Sequence, residues 1–100
     1  SHMKIPILCL LVASWYGEPY RGRPTASGEP YDPSAMTCAH RDLPFGTMLL
    51  VYTPDKHVIV TVNDRGPFIA GRELDLSSYA FEQLADPDQG LVHVNYIELK

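Results

Sequence analysis

Nine prolines and seven glycines cut the hundred residues of this chain into short apolar runs, and that punctuation most narrows what it can fold into. Runs of about four to eight residues bounded by turn formers suit strands and leave little room for long helices. Val58, Val60 and Val62 alternate with more variable positions, the period of a half-buried strand. That strand runs directly into Asn63-Asp64-Arg65-Gly66-Pro67-Phe68. Gly66 tolerates positive φ and Pro67 fixes its own, so the backbone there is tightly specified. Eleven residues after Asp64 comes Asp75, in Glu73-Leu74-Asp75-Leu76-Ser77. A carboxylate held at a rigid strand end is where a catalytic acid is expected; the plainer alternative is an Asp that only bonds its own turn.

The remaining segments fit the same pattern. The apolar stretch Ile5 to Val12 is read as a first strand in preference to the core of an export signal, and Leu11 to Tyr16 as a strand ending at Gly17. From Glu18 to Pro33 the chain is a long ordered loop rich in Gly, Pro, Arg and Ser. Asp32-Pro33 is placed to cap one helical turn through Met36. Met48 to Thr53 and His57 to Asn63 are strands joined by Pro54-Asp55-Lys56. Ser77 is a good N-cap for a helix over about Ser78 to Ala85, with Leu76, Ala80, Phe81 and Leu84 on one face as core. Leu91 to Leu99 alternates as a closing strand. The fold expected is mainly β, with five or six strands and one short helix closed into a small barrel, because closure removes exposed edges. Ser1-His2-Met3 has the look of an expression-tag scar, which leaves 4–100 as a single domain.

The net charge is −4 and the Lys and Arg residues are scattered, which argues against nucleic acid and against an anionic membrane as partners. No apolar run is long enough to insert into a bilayer. Cys9 and Cys38 permit one disulfide without requiring it, and no Cys/His spacing suits a metal. Neither metal nor cofactor is expected, and the chain is read as a monomer.

Taken in order, the blocks Ala13-Ser14-Trp15-Tyr16-Gly17, Thr25-Ala26-Ser27-Gly28-Glu29, Ala39-His40-Arg41, Leu43-Pro44-Phe45-Gly46-Thr47, Val62-Asn63-Asp64-Arg65-Gly66-Pro67-Phe68 and Gly71-Arg72-Glu73-Leu74-Asp75-Leu76-Ser77 resemble the RlpA-like double-psi β-barrel, the rare lipoprotein A family of septal lytic transglycosylases. The resemblance runs from about Ala13 to Leu99. The block around Asp75 is also similar to that of expansins, and related barrels occur in family 45 endoglucanases and MltA-type transglycosylases. The resemblance implies a six-stranded double-psi barrel with a polysaccharide groove across one side. It also implies a location in the cell envelope, periplasmic or extracellular, or delivery to the wall by a phage.

The activity so implied is cleavage of the β-1,4 bond between N-acetylmuramic acid and N-acetylglucosamine without water, with closure of a 1,6-anhydro ring on the muramyl residue. One carboxyl serves first as acid and then as base, and it should stay protonated near neutral pH. By the wider superfamily Asp75 is the acid/base and Asp64 its partner; the RlpA pattern, which associates Glu29, His40 and Asp64 with the site, supports the reverse. Tyr16, Tyr20 and Tyr31 are candidates for stacking on sugars, Trp15 for barrel packing. Arg65 and Arg72 are candidates for holding a carboxylate or the muramyl lactyl group, and Arg65 for tying its own turn. The competing expectation, from a different class, is an expansin-like module that binds and loosens wall polysaccharide without cleaving it.

Overall fold

Alternation decides which side of each strand is buried, and the computed structural model, which describes residues 8–100, follows it closely. Six strands form: β1 (Leu11–Tyr16), β2 (Thr37–Ala39), β3 (Met48–Tyr52), β4 (His57–Asp64), β5 (Leu74–Ser77) and β6 (Val92–Leu99). They close into a barrel in the order β1-β5-β2-β4-β3-β6. Two neighbouring pairs are parallel, β1 with β5 and β2 with β4; the other four are antiparallel. Leu49, Val51, Val58, Val60, Val62, Leu74, Leu76 and Val94 fill the interior, each on the inward parity of its strand.

One helix, α1 (Ser78–Glu82), closes an end of the barrel. Ser77 caps it by accepting from the Ala80 N–H at 3.3 Å, and its hydroxyl donates to the Ala35 carbonyl at 2.5 Å. Ala80, Phe81 and Leu84 are buried, as their spacing requires. The helix is shorter than Ser78 to Ala85, yet the Leu84 and Ala85 N–H groups still bond the Phe81 carbonyl at 2.9 Å, so the chain continues as a tight turn. Trp15 packs against this core with its ring centroid 6.2 Å from that of Phe81, and its indole N–H donates to the Pro87 carbonyl at 3.0 Å. Gly17 is needed beside it because a Cβ there would lie 2.7 Å from the Trp15 ring.

Two further expectations need correction. Within Ile5 to Val12, residues 5–7 lie outside the described ones, and the strand begins only at Leu11, opposite Val94. Leu8 and Leu10 are exposed, and the Leu8 carbonyl accepts from the Asn95 side chain at 2.6 Å instead of from a ladder. Asp32 caps a turn, accepting from the Ser34 N–H at 2.9 Å, with no helix through Met36. The chain there enters β2, a strand of three residues between β5 and β4.

Candidate active site

Four adjacent strands carry the centre of the site. Asp75 on β5 lies opposite Ser14 on β1 and, on its other side, opposite Ala39 on β2; Ala39 in turn lies opposite Asp64 on β4. Partners in register share a face, so Ser14, Asp75, Ala39 and Asp64 form one row. Leu74 and Leu76 point into the core, which turns Asp75 outward by alternation. Asp64 has the parity of Val60 and Val62 and by alternation alone would point inward. The β2–β4 register slips by one residue between Cys38 and Ala39, and that slip swings Asp64 to the side of Asp75.

The two Cα atoms are two strand spacings apart, about 10 Å, with only the Ala39 methyl between. Asp64 and Asp75 line a cavity of about 190 Å³ together with Tyr16, Tyr20, Thr25 and Arg65. A second recess shares Tyr16, Tyr20 and Asp75 with it and reaches Ile69, Arg72 and Glu82, so the two make a continuous groove.

Each carboxylate is held by one oxygen. Asp64 Oδ1 accepts from the Ala26 N–H at 2.9 Å and the Arg65 N–H at 2.8 Å. Asp75 Oδ1 accepts from the Ser14 hydroxyl. Among the described residues no hydrogen bond occupies the Oδ2 atom of either. The Ala26 donor comes from an arch closed by Thr25 N–H to Glu29 carbonyl at 2.8 Å and tied to β4 by Ser27 N–H to Asn63 carbonyl at 3.2 Å.

Tyr16 stacks on Tyr31 with centroids 4.2 Å apart and meets Tyr20 edge-on at 5.9 Å. Burial, and after it the Asp64 charge, holds the Tyr16 phenol well above its ordinary pKa, so it remains a neutral donor. Tyr20 is exposed, with the Arg23 guanidinium 5.6 Å from its ring. Tyr31 is only 3% exposed; its hydroxyl donates to the Tyr16 carbonyl and accepts from the Ser78 N–H at 3.2 Å. It backs Tyr16 through the stacked rings and lines the same cavity as Asp64 and Asp75.

His40 is 6% exposed and does not line the cavity. Its Nδ1 accepts from the Asp42 and Leu43 N–H groups, both at 3.1 Å, which places the proton on Nε2, 3.0 Å from the Tyr96 hydroxyl. Tyr96 donates onward to Glu73 Oε1 at 2.8 Å, and Arg41 bonds Glu73 Oε2 at 2.8 Å. Arg65 ties its turn, donating to the Leu43 carbonyl at 2.9 Å and the His40 carbonyl at 3.3 Å, and lies 4.0 Å over the Phe45 ring. Glu29 is exposed on the arch, 3.4 Å from the Ser27 hydroxyl, outside the cavity lining. Arg72 lines the far end of the groove, beyond Asp75.

Cys9 and Cys38 are both free thiols. Burial, and then the Asp75 charge, pushes Cys38 up to about 12. No group of three His, Cys, Asp or Glu among the described residues is arranged to hold a metal ion. Sequence reasoning missed Ser14 and Ala39 as site residues, although both stand in the quoted blocks. A small residue between two acids leaves no signal until the strand order is known.

A model of a family described as lytic transglycolase matches residues 10–96. A probable endolytic peptidoglycan transglycosylase RlpA of Treponema pallidum is 49% identical over 85 residues, 83% of this chain and 27% of that protein. The endolytic peptidoglycan transglycosylase RlpA of Neisseria meningitidis serogroup A is 46% identical over 84 residues, 82% of this chain and 35% of that protein. The chain thus spans only 24–35% of the length of such relatives. Among solved structures, an expansin of Clavibacter michiganensis superimposes with a TM-score of 0.73 at 26% identity, over 90% of this chain and 49% of that one. A Streptomyces papain inhibitor superimposes with a TM-score of 0.72 at 24% identity, over 89% of this chain and 91% of that one, a likeness of fold.

Proposed function

Because this chain belongs to the lytic transglycolase family, we propose that it cleaves the bond between N-acetylmuramic acid and N-acetylglucosamine in peptidoglycan and leaves 1,6-anhydro-muramyl ends. The observation that carries the reading is the row Asp75–Ala39–Asp64, two carboxylates on one face of the barrel opening into one groove. The relatives' printed activity is the other support.

In this reading Asp75 is the acid/base. Ser14 fixes Oδ1, so Oδ2 presents its proton to the glycosidic oxygen as the bond to the muramyl C1 breaks and the N-acetylglucosamine hydroxyl departs. The resulting carboxylate then takes the proton of the muramyl 6-hydroxyl while O6 bonds to C1, which closes the anhydro ring and restores the acid. No water is consumed. Asp64, anchored by two backbone N–H groups, faces the positive charge that develops at C1 and stabilises it. Tyr20 supplies a flat exposed ring for a sugar face, and Arg65 and Arg72 supply cations along the groove.

His40 acts through others: its Nδ1 pins the turn whose carbonyls hold Arg65, and the Arg65 N–H holds Asp64. Glu29 is assigned to the rim, where it meets the glycan. The partner is the glycan strand, and the place of action the cell envelope.

Digestion of purified sacculi followed by mass spectrometry of the fragments tests the activity. Anhydro-muramyl ends are expected; reducing muramyl ends would mean a hydrolase. The expansin-like alternative, favoured by the shared barrel, would follow from binding with no fragment released.

A further inference from the structure

Phe68 is 80% exposed and Ile69 56% exposed, at the tip of the turn that follows Asp64. Leu10, 72% exposed, lines the same recess, with Arg41, Arg72 and Glu73 around it. Water-facing aromatic and aliphatic side chains gathered beside charged ones are an unusual use of surface and mark a contact site. None of them is used by the chemistry at Asp75.

We propose that this recess is a distal saccharide subsite, in which the Phe68 ring stacks on a pyranose of the same glycan strand that crosses Asp75. The proposal rests on the glycan-cleaving reading and adds a second place where the strand is held. Its observation is continuity: Ile69 and Arg72 line both this recess and the one that contains Tyr16, Tyr20 and Asp75. A linear polymer lying over the carboxylates therefore passes the Ile69–Arg72 wall and reaches Phe68.

The chemistry fits an amphipathic ligand. An N-acetylated pyranose offers axial C–H groups and an acetyl methyl to Phe68 and Leu10, and hydroxyls or a lactyl carboxylate to Arg72 and Arg41. An acyl chain would leave the Arg41–Glu73 pair, 2.8 Å apart, facing hydrocarbon. The consequence is a preference for long strands: short oligosaccharides fill the groove at Asp75 without touching Phe68.

The test uses the full chain as Asp75→Asn, so that the ligand stays intact, with aromatic NMR signals followed during titration by peptide-free glycan tetra-, hexa- and octasaccharides. Every length should shift Tyr20, and only the longer ones Phe68. In the active chain, Phe68→Ala should raise KM for long glycan about tenfold, the scale of one lost aromatic contact. It should leave kcat and the cleavage of short oligosaccharides unchanged, and Phe68→Tyr should restore the long-strand KM. Octasaccharides that shift Tyr20 and leave Phe68 unmoved overturn the subsite. So does a Phe68 signal that answers to lipid vesicles or protein concentration and never to glycan. If the parent chain releases no anhydro product, the activity falls, and the Phe68 shifts still decide the subsite separately.

Discussion

Ala39 carries a single methyl group, and that smallness lets Asp64 and Asp75 face one groove from the strands on either side of it. Ala39→Leu should fill the gap, abolishing glycan cleavage while circular dichroism and the unfolding transition show a folded barrel destabilised by about 1–3 kcal/mol. Ser14 is the other residue whose value lies in one bond. Ser14→Ala removes the donor that fixes Asp75 Oδ1 and should slow turnover, and Ser14→Thr, which keeps a hydroxyl, should recover most of the rate. A purely structural Ser14 would give equal losses in both variants. The two aspartates were legible in the sequence because Asp64 ends the alternating Val58–Val62 run and Asp75 sits between Leu74 and Leu76; Ser14 and Ala39 were not, since their roles depend on which strands become neighbours. The burial of Tyr31 was hidden for a related reason: a tyrosine in a polar loop gives no sign that the loop folds back and stacks it on Tyr16.

Among the elements, β3, β4, β6 and the helix start were readable because each has enough residues to show a period, and Ser77 caps α1 as expected. β2 spans only Thr37–Ala39, too short for alternation to register, and it exists because β5 and β4 flank it. The register slip beside it, which turns Asp64 outward, is equally invisible in one strand's sequence. Two stability measurements belong here. Phe81→Ala, at a position with no exposure, should cost about 3–5 kcal/mol in denaturant unfolding. Ser77→Ala, which loses the helix cap and leaves the Ala35 carbonyl without its donor, should cost about 1–2 kcal/mol. A smaller loss for Phe81 than for Ser77 would contradict the packing described.

For the whole molecule, closure through β1, which pairs with both β5 and β6, makes the barrel one cooperative unit, so unfolding should be a single transition. Its response to alkali follows from the buried groups. Burial raises Cys38 from 9.0 to about 12 and raises the Tyr16, Tyr31 and Tyr96 phenols. The folded state therefore keeps protons that the unfolded chain releases. The stabilisation is complete below pH 9 and is lost as pH rises from there toward 12. Cys38→Ala should flatten the first part of that decline, and Cys38 should resist thiol reagents at neutral pH until the chain unfolds.

The most direct measurement is a sacculus digest with Asp75→Asn and Asp64→Asn beside the parent chain, with anhydro-muropeptides quantified by mass spectrometry. Asparagine keeps the size of the side chain and its accepting oxygen while removing the acid. Both variants should remain folded, and each should release product about a hundredfold more slowly or worse. Folded variants that release anhydro-muropeptides at the parental rate would contradict the assignment of the chemistry to this pair of carboxylates.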